Sequence, residues 1–463
     1  MRLVALGGRP LNADESVHAA IAYGIAGGRG FRWNPEYHGP LGQHLTAASL
    51  LLFGASDWSA RLPWALAGLL LLALALPLAR RRGAGVGAAF LALVAVSPTY
   101  AVLCREIRGD TLGLVLLLAA LLLALRATPA RLFAATLAVC GALALKGTPL
   151  LSLALAAAAA LAAAPRRAAA SVRSLGGRHA AALALAAALG VAGGLLLVTG
   201  LLAHPEDWTA PARYAAYWWG RQAAPRYPGS VLYYPMQLAV YEPLICVVAL
   251  AALLLPVGDG RRGPAVLHDR WRRFLGLWLL GVLGVHGWVQ EKLPHIALYP
   301  LLPATLLAAE VLGRARRPPA RLLAALALAV TACVQLRAVT QNGVVDLENL
   351  RHLEALTYRS LSPDLPALVS RLRAEAGARP LAADRFFRLL LAWPLRDRTL
   401  LPLEDAPAEA TRIVLSRQGD LVSCTWRAPW DQADVHEILG FLLRREAFGE
   451  VDCQRGTILP APP

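Results

Sequence analysis

Carboxylates and cations recur in five short segments of this chain, each set against apolar sequence. The first holds the adjacent pair Asp14 and Glu15, and WNPEYHGP follows with Glu36 and His38 between two prolines. SPTYAVLCREIRGD supplies Arg105, Glu106, Arg108 and Asp110, ALALKGTP supplies Lys146, and HGWVQEKLPHIALYP supplies Glu291, Lys292 and His295. Tyr241 and Glu242 lie inside a further apolar run, where an acidic residue is costly unless partnered or functional. Carboxylates beside Arg and Lys suit a reaction on a phosphate-bearing molecule. The cations hold the phosphate and stabilise it as a leaving group, while a carboxylate deprotonates an acceptor hydroxyl. No Walker loop, G-x-S-x-G elbow, H-E-x-x-H helix or Rossmann glycine pattern occurs, which argues against nucleotide-driven and hydrolytic alternatives.

Each of these residues has a structural competitor. Glu15 stands three positions after Asn12, where its carboxylate reaches back to a helix cap, and Asp14 sits where it complements a helix dipole. Arg105 and Arg108, three apart, share a face if the segment is helical; they then serve a phosphate, or an ion-pair network that holds the loops. Lysine occurs only at 146 and 292, both at the ends of apolar runs. In a chain that otherwise writes positive charge as Arg, a titratable ammonium there is a functional candidate, with snorkelling as the alternative.

The elements that must position these groups are membrane helices. Hydrophobic residues make up 57% of the 463 and charged residues 16%, values outside the soluble range. Ten runs are long or apolar enough to read as spans: Trp58 to Ala79, Ala84 to Leu103, Thr111 to Leu125, Ala130 to Leu145, Pro149 to Ala164, Ala180 to Leu202, Met236 to Val257, Phe274 to Val289, Ile296 to Leu312 and Leu322 to Leu336. The formal charge of +16 does not indicate nucleic acid, because the arginines cluster at 80–82, 126–131, 166–178, 261–273 and 314–321, in alternate loops. The positive-inside rule makes those loops cytoplasmic and puts the five charged segments outside. The chain therefore divides into a first extracytoplasmic loop (1–57), a transmembrane helical core (58–337) and a soluble extracytoplasmic α/β domain (350–463). The fold class is an all-α polytopic membrane protein of about ten or eleven spans carrying that small domain.

Within the first loop, Asn12 predicts a helix from Ala13 to Ala26 stopped by Gly27 and Gly28, and an interfacial helix runs from Leu41 to Phe53. Met1 to Asn12 is neither signal peptide nor span, so the topology predicts a further transmembrane helix ahead of it. Residues 204–235 are rich in Trp, Tyr and Arg, which suits an interfacial belt or a sugar platform. Cys424 and Cys453 fall where a disulfide is permitted.

Taken in order, RPLNADESVHA, YHGPLGQHLTAASLLLFGASDWSARLPWALAG, SPTYAVLCREIRGD, ALKGTP, YEPL and EKLPHIALYPLLP resemble the GT-C superfamily of polyprenyl-phosphate-sugar-dependent glycosyltransferases. The resemblance covers nearly the whole chain. It is greatest to the flippase activity-associated family of archaeal-type protein glycosylation, related to the glycosyltransferase 39 and aminoarabinose-transferase groups. It implies a multi-span core in the cytoplasmic membrane and an external loop whose acidic pair falls on Asp14, the first choice for base, and Glu15, the second. Arg105, Arg108, Lys146 and Lys292 then become candidates for the donor phosphate. Glu36, His38, Asp110, Tyr241, Glu242 and Glu291 become candidates for substrate binding, with Glu36 or His38 open to an occasional divalent ion. The implied partners are a polyprenyl-phosphate sugar, the bilayer, and a glycan, lipid or protein acceptor, with inversion at the anomeric carbon. Relatives place a transmembrane helix before the acidic pair, which this sequence lacks. A lipid-linked-sugar binding or flippase-associated protein without chemistry is the alternative; charges at one face and the lack of an internal repeat favour the enzyme.

Overall fold

Asn12 opens helix α1 (Ala13–Ala26) by accepting from the Glu15 N–H at 3.0 Å, and Glu15 Oε2 accepts from the Asn12 N–H at 3.1 Å. This is the expected capping box, and Gly27 ends the helix as expected. Helix α2 (Pro40–Phe53) starts on a proline, where the missing N–H costs nothing. A second box, between Ser56 and Ser59, opens α3 (Asp57–Ala73), which runs on into α4 (Ala75–Arg82). The computed structural model that shows this describes residues 2–125, 128–166, 177–223, 227–254, 269–315, 318–356, 359–430 and 432–460. Of the basic loops, Arg126, Arg167, Arg173, Arg261, Arg262, Arg316 and Arg317 lie outside the described residues.

Prolines divide two of the expected spans. Ala84 to Leu103 becomes α5 (Ala84–Val96) and α6 (Pro98–Leu103), and Met236 to Val257 becomes α12 (Tyr233–Tyr241) and α13 (Pro243–Leu254), bent by 112°. Pro98 and Pro243 lack the N–H the helix needs and push the preceding residue out of the helical region; Ser97 sits at φ −62°, ψ 121° and Glu242 at φ −128°, ψ 43°. The other expected runs form α7 (Gly109–Ala124), α8 (Pro129–Leu145), α9 (Thr148–Ala163), α10 (Arg178–Val198), α14 (Arg270–Trp288), α15 (Leu298–Leu312) and α16 (Pro318–Gln341). The aromatic segment forms α11 (Ala210–Ala223), numbered by its place between α10 and α12. Among the described residues four helical stretches are long and apolar enough to cross a membrane, Asp57–Arg82, Arg178–Val198, Pro294–Leu312 and Leu322–Gln341; the bent pair makes a fifth.

The main core gathers around α15, which is buried from Leu298 to Glu310 and packs against α5, α13 and α14. C-terminal residues build a six-stranded mixed sheet from β1 (Arg359–Leu361), β2 (Leu381–Ala383), β3 (Leu400–Pro402), β4 (Thr411–Ser416), β5 (Asp420–Trp426) and β6 (Val451–Leu459), in the order β1-β5-β6-β4-β2-β3. Strand β2 runs parallel to β3 and β4; the remaining pairs are antiparallel. Cys424 and Cys453 face each other across β5 and β6 and are disulfide-bonded. Helices α17 (Leu365–Ala376), α18 (Arg385–Leu391) and α19 (Val435–Arg444) complete this part. Trp426 and Trp430 pack with Phe441 and Phe448 in its core.

The sheet region is sewn to the first loop. Ser16 Oγ donates to the Leu390 carbonyl at 2.8 Å and accepts from the Trp393 N–H at 2.9 Å, and the Trp393 indole donates to Asp57 at 2.7 Å. A second tie joins Tyr241, whose hydroxyl donates to Glu354 at 2.7 Å and accepts from the Ala355 N–H at 2.7 Å.

Candidate active site

Adjacent residues on a helix point about 100° apart, and the acidic pair of α1 divides accordingly. Glu15 points inward and is 0% exposed. Its Oε1 accepts from Arg61 Nε at 2.7 Å and from the Ile107 N–H at 3.2 Å; its Oε2 accepts from Arg61 Nη2 at 2.8 Å, from the Asn12 N–H, and from Arg9 at 3.4 Å. Burial works to raise its pKa, but Arg61 and Arg9 outweigh it and hold the carboxyl down to about 2. Every lone pair faces a donor. Glu15 is therefore held as a structural hub, away from the cavity that Asp14 lines.

Asp14 points outward, its side chain 48% exposed, and accepts from Arg108 Nη2 at 2.8 Å. Partial burial raises its pKa, and Arg108, helped by His18, more than reverses this, so the carboxyl ionises below its ordinary range. His18, one turn on, is lowered to about 4 by burial.

Arg108 stands just before α7 with extended backbone, and its guanidinium reaches three elements. Nε donates to Glu106 at 3.1 Å, Nη2 to Asp14, and Nη1 lies 3.1 Å from Nδ1 of His295. Lys146 caps α8; its Nζ lies 2.9 Å from the other ring nitrogen of His295 and donates to Asp110 Oδ2 at 3.1 Å. Asp110 Oδ1 accepts from the Tyr299 hydroxyl at 2.9 Å. One continuous line of contacts thus runs from half-exposed Asp14 through Arg108, His295 and Lys146 to buried Asp110 and Tyr299.

Asp14, Arg108 and His295 open onto a cavity of about 410 Å³, lined also by Glu36, His38 and Trp218, and by Arg359, Arg385 and Phe386 from the sheet region. His38 is stacked between the rings of His18 (5.8 Å between centroids, 18° between planes) and Trp218 (5.6 Å, 8°), with its backbone at φ 63°. Gly39 holds this loop against the end of α8, its N–H donating to the Leu145 carbonyl at 2.9 Å; a Cβ at Gly39 would overlap the Ala144 carbonyl. Beside the cavity lies a smaller one of about 230 Å³ that shares Trp218 and Leu293 and is lined by Lys146, Leu151, Tyr214, His286, Glu291 and Ile296. Among the described residues no group of three or more His, Cys, Asp or Glu side chains is arranged to hold a metal ion.

Several sequence candidates lie elsewhere. Residues 104–108 are not helical, so Arg105 and Arg108 do not share a face. Arg105 donates to the carbonyls of Arg2, Val4 and Ala5 and pins the N-terminal segment. Lys292 donates to the carbonyls of His286, Gly287 and Val289, closing the end of α14 with all three of its protons, which leaves none for a phosphate. Tyr241 is engaged with Glu354, and Glu242 is buried at the bend, accepting from Ser97 Oγ at 2.6 Å and the Thr99 N–H at 3.0 Å; neither lines the cavity. Glu291 lines only the smaller cavity. Conversely, the sequence did not single out Arg61, whose signal is a lone cation four residues into an apolar helix, nor His18, Trp218, Arg359 and Arg385. It placed His295 in the last charged turn without giving it a role.

Comparison with known proteins follows the same outline. Residues 37–193 match the family described as dolichyl-phosphate-mannose-protein mannosyltransferase. That stretch holds His38, Arg108, Asp110 and Lys146. No curated protein matches the chain. The crystal structure of ArnT from Cupriavidus metallidurans bound to undecaprenyl phosphate is similar, with a TM-score of 0.60 and 15% identity over 89% of this chain and 91% of that one. The apo structure of the same protein gives a TM-score of 0.54 at 15% identity, covering 91% and 95%. A glycosyltransferase family is thus matched over residues 37–193, and the fold is similar to that of ArnT along most of the chain.

Proposed function

We propose that this enzyme moves a sugar from a polyprenyl-phosphate donor to an acceptor hydroxyl at the extracytoplasmic face, with Asp14 as general base. The observation that carries the reading is the half-exposed Asp14 carboxylate opening on a cavity whose wall is Arg108 and His295, with Lys146 directly behind. Undecaprenyl phosphate bound in the similar ArnT structure supports a phosphate-lipid donor. The acceptor oxygen attacks the anomeric carbon from the side opposite the phosphate, and Asp14 takes the hydroxyl proton. The bond from that carbon to the phosphate oxygen breaks, its electron pair leaves on the phosphate, and Arg108 and Lys146 stabilise the charge that develops. Configuration at the carbon inverts. Glu36 and His38 line the same cavity and are the candidates to contact the acceptor or an occasional divalent ion.

The Cys424–Cys453 disulfide supports an oxidising compartment for the sheet region and, with the arginine pattern, a site outside the cytoplasmic membrane; the apolar runs support about ten or eleven spans. The division into loop 1–57, core 58–337 and domain 350–463 is part of the same reading.

Transfer from radiolabelled polyprenyl-phosphate sugars, measured in membranes containing the protein, tests the proposal. Asp14→Asn should lose on the order of 10²–10⁴-fold in turnover with lipid binding retained. Unchanged turnover would remove Asp14 as base, and lipid binding without transfer from a broad donor and acceptor panel would favour a binding protein instead.

A further inference from the structure

The contacts around His295 fix where protons sit. Arg108 donates through every nitrogen and stays protonated at any working pH. Its Nη1 lies 3.1 Å from His295 Nδ1, so that nitrogen presents its lone pair and the ring proton resides on Nε2. Nε2 in turn lies 2.9 Å from Lys146 Nζ. An N–H there needs an acceptor, and an ammonium has none. A neutral amine has one lone pair for the imidazole and two protons, one of which reaches Asp110 Oδ2 at 3.1 Å. The reverse assignment, an ammonium donating to a bare Nε2, sets the Nδ1 proton against the guanidinium, two donors 3.1 Å apart. A doubly protonated ring conflicts with both neighbours.

We infer that Lys146 is a neutral amine in this arrangement and that the Lys146–His295 pair takes up one proton when an anionic phosphate lipid binds. The inference rests on the phosphate-lipid reading of the cavity. A phosphate oxygen accepts from Arg108 Nη1 and draws it from the imidazole, which frees Nδ1. The Nε2 proton then passes to Lys146, and a solvent proton binds at Nδ1, where it donates to the phosphate. The balance is one proton gained, a charged Lys146 and a reversed histidine tautomer, so a cation arises beside the anion it serves. A permanently charged lysine buried here would carry its desolvation cost at all times.

Other groups facing the pair are Asp14 and His18 from α1, His38 from the first loop and Tyr214 from α11. Glu36 from the first loop and Arg359 and Arg385 from the sheet region line the His295 cavity, and Tyr234 from α12, His286 from α14, Glu291 from the turn and Tyr299 behind Asp110 lie on the Lys146 side. Variants must therefore separate Lys146 from the histidines.

The chain has two lysines, 146 and 292, so protein labelled with carbon-13 at lysine Cε gives two resonances, and Lys146→Arg assigns them. At about pH 7.5, well below the free lysine value, Lys146 should resonate as an amine and move to the ammonium position on addition of undecaprenyl methyl phosphate. This diester has no titratable proton near neutrality. Calorimetry in buffers of differing ionisation enthalpy should read uptake of about one proton, with affinity falling about tenfold per pH unit as pH rises through the window between the two lysine states. Lys146→Arg should bind with no uptake. An ammonium signal before lipid is added, or uptake that survives in Lys146→Arg, overturns the inference. Failure of the native protein to bind the diester at all overturns the phosphate-lipid site instead, and the amine resonance is read independently of it. Should Lys146→Arg not fold, Lys292→Arg assigns the two resonances and the shift of the native Lys146 signal decides.

Discussion

Replacing Glu15 with Gln changes one atom and should damage folding rather than chemistry. The carboxylate receives two donors from Arg61, two backbone N–H groups and Arg9, all at 2.7–3.4 Å, and both Glu15 and Arg61 are 0% exposed. An amide in its place turns two protons toward donors whichever way it is flipped, and leaves the Arg61 charge without a counterion. Breaking a buried pair from one side costs about 3–5 kcal/mol. A second route gives a similar size: a carboxyl held at about 2 instead of its free value of about 4.5 contributes roughly 3 kcal/mol at neutral pH. The sign follows from the lowered value. That contribution is complete above the unfolded pKa and fades as pH falls toward 2, so Glu15→Gln should narrow the gap to the native protein in acid. Unfolding of the purified protein in detergent, followed by intrinsic fluorescence across pH, measures it, with transfer assayed on the folded fraction. A Glu15→Gln protein as stable as the native one but lacking turnover would refute the division of the acidic pair into a structural and a chemical member.

The remaining expectations concern the cavity and its supports. Gly39→Ala should cost about 1–3 kcal/mol of stability and raise KM, because the new methyl overlaps the Ala144 carbonyl and lifts His38 from the end of α8; a thermal shift and steady-state kinetics check this. Since Arg108 holds Asp14 ionised below its ordinary range, kcat/KM should show no loss on the acid side until about pH 4, as a pH–rate profile would show. Cys453→Ser opens a link spanning 29 residues and should lower the stability of the sheet region by roughly 3 kcal/mol, read by denaturant unfolding with and without reductant.

Local rules carried much of this structure. The limits of α1 and its capping box, the start of α2 within one residue, and the helical character of the apolar runs all follow from sequence-near interactions. The bends at Pro98 and Pro243 were readable in the same terms, but overall hydropathy masks them, because an apolar run looks the same straight or broken. The site was only partly legible. Spacing suggested that Arg105 and Arg108 act together, yet the chain leaves the helix at Cys104 and sends one guanidinium to the N-terminal carbonyls and the other to Asp14. His295 meets Arg108 from 187 positions away. No window on the sequence contains both, and periodicity says nothing about which of several buried charges will share a hydrogen bond. Lys292 shows the same limit in reverse, since a lysine that closes a helix end and one that serves a ligand look alike until the carbonyls around it are seen.

The seam between α1 and α18 bears on how this protein can be recombined. Ser16 is hydrogen-bonded to Leu390 and Trp393, Trp393 reaches Asp57, and Arg359 and Arg385 supply one wall of the cavity that Asp14 opens on. The C-terminal hundred residues are thus no detachable appendage. A chimera that swaps them with those of another protein of this fold must carry residues 12–18 and 57 as part of the same exchange unit, although more than three hundred positions separate the two pieces in the chain.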